Sequence, residues 1–313
     1  MLGKTANGLF WMYRYLERAE NTTRLIETGQ RISLTRSGAS DEDWTSILQS
    51  AGSESGYREH HDVVTKDSAI DWMLRSRDNP SSVLSSIMAA RQNARMVRTA
   101  LTHDVWEAVN GIYMRATEKS KRKIGERDLP NMLGQLRSGT ALVRGATHGT
   151  MLRNDIYDFA RIGTFLERAD NTARILDVKY YVLLPSVMAV GSPIDNMQWE
   201  TILRSVSALG GYRLEFGNAP NPRDIAQFLM LDRRMPRSLA FCVGKIKSNL
   251  GYLTQSYGTE PPSCETVARI ESQYLSCEIE AIFDSGLHEH IQQLLAEFAA
   301  LGQQIQSDYR FID

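Results

Sequence analysis

The feature that most constrains the fold is an internal repeat. The segment Tyr15–Ile26 reads YLERAENTTRLI, and it recurs 150 residues later as Phe165–Leu176, FLERADNTARIL. Further matches follow in the same order with a slowly growing offset: Trp44 with Trp199, Gly56-Tyr57-Arg58 with Gly211-Tyr212-Arg213, and Asn79-Pro80-Ser81-Ser82 with Met235-Pro236-Arg237-Ser238. Collinear matches of this kind are typical of repeated structural units. The sequence therefore predicts a tandem duplication.

Apolar residues follow a helical period in both copies of the repeat. They are spaced by three or four positions, at Leu9, Met12, Leu16, Ala19, Thr23 and Ile26 and again at Phe159, Ile162, Leu166, Ala169, Ala173 and Leu176. This spacing forms one stripe of a helix that packs against a neighbour. Alternating strand patterns are scarce. We predict an all-α protein in which two helical-bundle units, residues 1–145 and 146–313, pack about a pseudo-twofold axis as one compact globule.

Proline, glycine and capping residues mark the other boundaries. Helices are predicted to begin near Asp41 (capped by Ser40 or Asp41), Pro80, Pro236 and Ser263. Further predictions are loops at Gly125–Pro130 and Gly217–Pro222, a passage into the second copy at Gly134–Gly149, and one or two long helices over Ser263–Tyr309.

Composition and charge argue against several classes of function. The formal net charge is −1, so no global field favours nucleic acid or an anionic membrane. The basic run of Lys119, Lys121, Arg122 and Lys123 carries no aromatic residue for stacking on bases, and we predict a solvated linker there. The cysteines, Cys242, Cys264 and Cys277, form no close pair, which disfavours zinc and disulfides.

No targeting or membrane pattern is expected. Met1–Gly8 lacks the basic start and apolar stretch of a secretory signal. The longest apolar run, Tyr180–Val190, is interrupted by Pro185 and is too short to span a bilayer. We expect a cytoplasmic protein.

A polar face accompanies the apolar stripe of the repeated helix. Residues three or four apart share a helix face. The stripe in the first copy is Glu17, Asn21 and Arg24, the stripe in the second is Glu167, Asn171 and Arg174, and Arg18 and Arg168 lie about 100° further round. The i, i+4 spacing also predicts pairing of Glu20 with Arg24 and of Asp170 with Arg174.

Two interpretations of this face stay open. In the structural one, the two copies pack together, Glu17 pairs with Arg168 and Glu167 pairs with Arg18, as buried ion pairs that specify geometry. In the functional one, both motifs converge on one polar cleft. The carboxylates would then act as acid, base or metal ligand, and the arginines would grip an anionic group such as a carboxylate or phosphate.

The other candidate residues give weaker signals. His148 lies among glycines just before the second copy, where the backbone allows close approach, so it is a candidate binding residue or a plain loop histidine. The pairs His60-His61 and His288/His290 match no two-histidine helix face and are predicted to lie on the surface. No glycine-rich phosphate loop or nucleophile elbow is present. Trp44 and Trp199 are predicted to be core residues.

The repeated motif resembles that of a known family. Leu16-Glu17-Arg18-Ala19, Leu166-Glu167-Arg168-Ala169, Met1–Leu9 and Phe228–Phe241 all resemble segments of the bacterial alpha-E domain family, an all-helical domain with a Glu-Arg motif, typically in tandem duplication. The resemblance covers essentially the whole chain. Both copies keep the motif intact.

The resemblance implies a functional context. Alpha-E proteins are usually encoded beside circularly permuted ATP-grasp ligases, transglutaminase-like proteins and Ntn-hydrolase-type peptidases, in proposed peptide synthesis or modification systems. The implied role is that of a partner of the ligase, or a catalyst acting on its product. The candidates are Glu17 and Glu167 as catalytic residues and Arg18, Arg168, Asn21, Asn171, Arg24, Arg174 and His148 as binding residues for a peptide or amino-acid substrate, with no cofactor and no metal.

Three hypotheses follow for the function. The first is an accessory subunit that docks on an ATP-grasp ligase and positions its substrate. The second is an enzyme that uses the paired Glu/Arg motifs for acid–base chemistry on an activated acyl or peptide substrate. The third is a carboxylate-bridged metal site between the copies, which lacks the usual Glu-x-x-His partners.

Overall fold

The computed structural model describes residues 1–35, 41–121, 123–177 and 193–311, and within these ranges it contains helices and no strand. The all-α prediction is therefore confirmed. Tyr180–Val190, Ser40 and Arg122 lie outside the described residues, and so does the side chain of Asp41. The α-helices are α1 (Gly3–Thr35), α2 (Asp41–Ser50), α3 (Glu54–Arg58), α4 (Lys66–Leu74), α5 (Val83–Met96), α6 (His103–Lys119), α7 (Leu129–Thr150), α8 (Asp155–Asp177), α9 (Pro193–Ser205), α10 (Leu209–Phe216), α11 (Pro222–Met230), α12 (Leu239–Tyr257), α13 (Pro262–Tyr274), α14 (Ile279–Ser285) and α15 (Leu287–Asp308).

Two rings of four helices share a central contact. In the first half, α1, α5, α6 and α7 pack in sequence around a ring, and in the second half α8, α12, α13 and α15 do the same. The rings meet where α1 packs against α8. The repeated segments lie on these two helices, so the fold brings both Glu-Arg motifs to the centre of the molecule.

A glycine lets α1 and α8 approach closely. A Cβ atom at Gly163 would overlap the backbone carbonyl oxygen of Phe10 on the facing helix. The apolar stripes predicted from the sequence are buried at this contact; Leu9, Met12, Ile162 and Leu166, for example, are each 5% exposed or less. The backbones therefore come near enough for side chains of one motif to reach the other.

The short helices keep the same order in both halves. Trp44 on α2 is 1% exposed and Trp199 on α9 is 4% exposed, which confirms that both are core residues. Ser82 caps α5 and Ser238 caps α12, each accepting a hydrogen bond from a backbone N–H three residues on. This order agrees with a tandem duplication, which itself stays a prediction, as does the division into two units.

Three details differ from the sequence-based expectations. The segment Ser263–Tyr309 forms three helices, because Gly286 adopts a φ of 99° and ends α14 before α15 begins. His148 lies in the last turn of α7 and not in a loop. The passage predicted at Gly134–Gly149 is also helical and belongs to α7, because a buried face that includes Leu136 and Val143 outweighs the low helix propensity of its glycines.

Candidate functional site

The two Glu-Arg motifs pair with each other across the α1–α8 contact. Arg168 donates from Nε and Nη2 to the two carboxylate oxygens of Glu17, at 2.8 and 2.9 Å. Arg18 donates in the same way to Glu167, at 2.5 and 3.1 Å. We call Glu17–Arg168 the first crossing and Glu167–Arg18 the second crossing. Both are bidentate pairs, the strongest arrangement that a carboxylate and a guanidinium form. This is the cross-pairing of the structural interpretation, one of the two that the sequence left open.

Each glutamate of the motif also has a second arginine. At the first crossing, Arg237 Nη1 donates to Glu17 at 3.1 Å, and at the second, Arg14 Nε donates to Glu167 at 2.8 Å. Arg237 lies just before α12 and is held there because α8 fixes its backbone: Thr172 donates to the Arg237 carbonyl at 2.9 Å. No motif in the sequence pointed to Arg14, whereas Arg237 belongs to the repeat match at Met235-Pro236-Arg237-Ser238 and to the Phe228–Phe241 resemblance.

A further carboxylate extends the first crossing. Glu20, 1% exposed, accepts hydrogen bonds from Arg24 and Arg237, each at 2.8 Å, and from Arg144 of α7 at 2.8 Å. The i, i+4 pairing of Glu20 with Arg24 is therefore confirmed. In the second copy, Arg174 pairs with Asp170 at 2.8 Å, as predicted.

The electrostatics keep the motif glutamates ionised. Burial alone would raise the pKa of Glu17, but Arg168 and Arg237 outweigh it and hold the pKa below its usual value. Burial likewise opposes ionisation of Glu167, yet Arg18 and Arg14 lower its pKa to about 2. A general acid or base works best with a pKa near the working pH. Both glutamates are far from that condition.

The remaining candidate residues divide between the two crossings. Asn21 Oδ1 accepts from Arg237 at 3.0 Å, whereas its buried Nδ2 has no partner among the described residues. Asn171 is half-buried and makes no side-chain hydrogen bond within the same ranges. Arg24 also donates to Ser207, which ties α1 to the turn before α10. The structure thus brings Glu17, Asn21 and Arg24 into one connected network.

A cleft opens beside the first crossing, between α1, α7 and α8. About 30 Å³ inside it is accessible to the centre of a water-sized group, and the cleft is partly open to solvent. Glu17 and Glu20 line one wall of this cleft, which we call the arginine cleft; the other polar lining residues are Tyr13, Thr140, Arg144, Thr147, His148, Arg161 and Thr164.

His148 lies at the arginine cleft in a defined tautomer. Arg161 Nη1 lies 2.8 Å from His148 Nε2, and Tyr157 Oη lies 2.9 Å from His148 Nδ1. A guanidinium only donates, so Nε2 is the acceptor and the ring proton sits on Nδ1, facing Tyr157. Partial burial, together with Arg161 and Arg153, lowers the pKa of His148. The imidazole is therefore neutral and orients the guanidinium of Arg161.

Positive charge exceeds negative charge around the two crossings. Within the described ranges, four carboxylates here form ion pairs with seven arginines, and Arg161 adds an eighth guanidinium that pairs with no carboxylate of those ranges. The carboxylates are Glu17, Glu20, Glu167 and Asp170, and the seven paired arginines are Arg14, Arg18, Arg24, Arg144, Arg168, Arg174 and Arg237. This excess suits an anion.

Other chemistry finds little support in the described part of the chain. No three side chains of histidine, cysteine, aspartate or glutamate come together there in a group able to hold a metal ion. Cys242 is fully buried, and burial raises the pKa of its thiol to about 12, which keeps it protonated and unreactive. No helix among these residues is long and apolar enough to cross a membrane.

The fold and this site define an all-helical protein centred on reciprocal Glu-Arg ion pairs. A family model for Alpha-E, described as a predicted alpha-helical domain with a conserved ER motif, matches residues 1–309. The chain belongs to the Alpha-E family. The two crossings are formed by its two Glu-Arg sequences, Glu17-Arg18 and Glu167-Arg168, each glutamate pairing with the arginine of the other sequence.

Relatives in mycobacteria are longer than this chain. An uncharacterized protein of Mycobacterium bovis is 24% identical over 315 residues, which cover 94% of this chain and 35% of the relative. An uncharacterized protein of Mycobacterium tuberculosis H37Rv is 23% identical with the same coverage. The chain thus spans about a third of the length of these relatives. No solved structure gives a significant match.

Proposed function

We propose that this chain is a non-catalytic, cytoplasmic component of a peptide synthesis or modification system. In this role it docks on a circularly permuted ATP-grasp ligase and helps to bind or position the peptide or amino-acid substrate of that ligase. The two Glu-Arg motifs serve as the internal frame that holds the helical rings together, and the arginine cleft is the surface that meets the substrate.

One observation carries the proposal. Each motif glutamate is held by two arginines in a buried network. A carboxylate fixed in this way has its lone pairs occupied and a pKa far below neutrality, so it neither accepts a proton from a substrate nor delivers one. The motif is therefore better suited to architecture than to acid–base chemistry.

The relatives add a second, weaker support for a partner. In the mycobacterial proteins the matching region is about a third of a longer chain, so the rest of each polypeptide accompanies it covalently. A region that is joined to further sequence in one polypeptide is a reasonable candidate for contact with another protein.

The test measures binding and turnover together. Purified chain is mixed with a circularly permuted ATP-grasp ligase from the same genome, and complex formation is followed by size-exclusion chromatography with light scattering. ADP release by the ligase is then measured with a mixture of amino acids, with and without the chain. The proposal expects a defined complex and a change in ADP release. Two proteins that elute separately and do not affect each other would refute it.

Conservative variants separate this role from the enzyme alternative. Glu17→Gln and Glu167→Gln are assayed at temperatures where circular dichroism shows each variant to be folded. An accessory subunit keeps its effect on the ligase in proportion to its folded fraction. If a folded variant still binds the ligase but the final product disappears, the glutamates act in the chemistry, and the enzyme alternative replaces the proposal.

A further inference from the structure

The arginine cleft contains guanidinium groups with unused donors. Arg161 directs Nη1 to His148, and within the described residues its Nε and Nη2 have no acceptor. Arg144 uses Nη1 for Glu20 and Glu17, at 2.8 and 3.7 Å, and its other nitrogens are likewise free of protein acceptors in these ranges. Both side chains line the same cleft.

The hydroxyl groups of the cleft cannot take the place of these donors. Thr147 and Thr164 each donate to a carbonyl one helical turn earlier, at 2.8 and 2.9 Å. Tyr13 Oη lies 2.6 Å from Thr147 Oγ1 and, with that threonine's proton already engaged, donates to it. The free hydrogen-bond donors in the cleft therefore come from its arginines, which select for an acceptor with negative charge.

At the second crossing, the space equivalent to the arginine cleft is filled by side chains. The positions 150 residues before Thr164 and Arg161 are Arg14 and Trp11. Arg14 binds Glu167 and lies over the Trp11 ring, 4.8 Å from its centroid. At the first crossing a threonine replaces that arginine, so space is left beside Glu17, and an arginine replaces the tryptophan at its edge. The arginine cleft is thus the open equivalent of the space that Arg14 and Trp11 fill at the second crossing, with an arginine at its edge in place of a tryptophan.

The wall glutamates do not convert this space into a cation site. Glu17 and Glu20 are already paired with Arg168, Arg237 and Arg24, so their negative charge is compensated within the protein. Burial is the main cause that keeps the pKa of Arg161 below its usual value, and Arg168 and Arg153 add smaller contributions in the same direction. An anion that entered the cleft beside Arg161 would stabilise this partly buried charge.

We infer that the arginine cleft binds the oxyanion group of a small ligand, a carboxylate or a phosphate, with Arg161 and Arg144 as its binding residues. His148 is the positioning residue, because its neutral Nε2 holds the Arg161 guanidinium toward the opening. That this ligand is the substrate of the ligase rests on the proposed function. The anion site itself does not, because the residues that form it belong to this chain alone.

The experiment uses the purified chain without the ligase. Isothermal titration calorimetry at constant ionic strength measures binding of inorganic phosphate, N-acetyl-alanine and N-acetyl-alaninamide. We expect saturable binding of phosphate, of N-acetyl-alanine, or of both, and none of the amide. Binding of N-acetyl-alanine alone identifies a peptide or amino-acid carboxylate as the source, and binding of phosphate alone identifies a phosphoryl group. If neither anion binds, the inference is wrong.

Matched variants locate the site. Arg161→Gln should weaken binding at least about tenfold, the effect of losing one charge-assisted hydrogen bond. Arg95→Gln removes the same charge from an exposed position on α5 and should leave the affinity unchanged. Equal affinities of Arg161→Gln and the wild type would overturn the assignment.

A second substitution guards against misfolding. Arg161 pairs with no described carboxylate, so Arg161→Gln leaves no buried acid without a partner. Should it unfold nonetheless, Arg161→Lys keeps the charge and removes the fork geometry, and the inference then requires a weaker but measurable affinity. Because no ligase is present, failure of this site and failure of the ligase partnership are separate results.

Discussion

The first and second crossings come from the same motif at equivalent positions, yet their surroundings differ. At the first, Glu17 is enclosed by Arg168 and by Arg237, whose side chains are 9% and 8% exposed. At the second, Glu167 is bound by Arg18 and Arg14, whose side chains are 25% and 16% exposed. The motif therefore determines the pairing, while its neighbours determine how far each pair is removed from water.

One substitution explains much of this difference. Position 237 holds an arginine, whereas the matching position in the first copy is Ser81. Ser81 makes only a weak contact with the second crossing, in which its Oγ lies 3.5 Å from Arg18 Nη1. The first crossing is completed by Arg237, 220 residues from Glu17, and the second is completed by Arg14 of α1, the helix that also carries Arg18. The open cleft lies beside the first crossing, where Thr164 of α8 stands at the position equivalent to Arg14, so the asymmetry places the proposed anion site at the first crossing.

The largest expected effect is on the free energy of unfolding, and it should differ between glutamine substitutions at the two motif glutamates. Glu17→Gln leaves Arg168 without a full charge partner in a buried site and removes one of the two carboxylates that bind Arg237, so it should lower the free energy of unfolding by about 3–5 kcal/mol. Glu167→Gln leaves two arginines that reach solvent, and about 1–2 kcal/mol is expected. Urea denaturation at neutral pH measures both. Equal losses would show that exposure of the arginines does not distinguish the crossings.

Widening the α1–α8 contact, which supports both crossings, should have the next largest effect on stability. Gly163→Ala places a methyl group against the Phe10 carbonyl and should destabilise the protein by about 1–3 kcal/mol through overpacking. Gly145→Ala on the exposed side of α7 meets no neighbouring atom and should stabilise by up to about 1 kcal/mol, because glycine is a poor helix former. Thermal unfolding of both variants provides the comparison. A neutral Gly163→Ala would mean that the helices separate without cost.

The contributions of a paired and of an unpaired buried carboxylate to stability should depend on pH in opposite directions. The pKa of Glu167 falls from 4.5 to about 2, so its stabilising contribution is lost as pH falls through that window. Asp158 has no cation partner among the described residues; burial, with Asp155 nearby, raises its pKa from 3.8 to about 6. Its contribution is therefore lost as pH rises through about 6.

Asp158→Asn tests this opposition directly. It should raise the free energy of unfolding by on the order of 1 kcal/mol above pH 7 and leave it unchanged below about pH 3.8. Urea denaturation across this range, with wild type as control, measures the effect. A gain that does not vary with pH would exclude ionisation of Asp158 as its cause.

The smallest expected difference in stability is between the loss of the Ser238 cap of α12 and the loss of the Ser82 cap of α5. Ser238→Ala removes the cap of α12 and also a hydrogen bond to the Asp232 carbonyl, so about 1–2 kcal/mol of stability should be lost. Ser82→Ala removes the cap of α5 and the bond to Ser85, and about 1 kcal/mol is expected. Because Ser238 follows Arg237, its loss should also weaken the first crossing. If Ser82→Ala costs more, the cap does not help to position Arg237.

The sequence by itself determined the helical class and the repeat, and it offered the pairing of the two motifs as one of two interpretations. Apolar period, the i, i+4 spacing of Glu20 with Arg24, and the identity of Glu17 and Arg168 are local properties, and local spacing fixes which side chains share a helix face. Once two such helices pack against each other, reciprocal Glu-Arg pairs are the arrangement that leaves neither charge alone.

Only the tertiary structure decided which further groups surround those pairs. Arg237 meets Glu17 across 220 residues and Arg144 meets Glu20 across 124, and no short-range spacing encodes either contact. The arginine cleft exists because α7 lies over α1 and because Thr164 is too small to fill the space. Its charge and volume depend on the packing of three helices, which periodicity along one helix cannot specify.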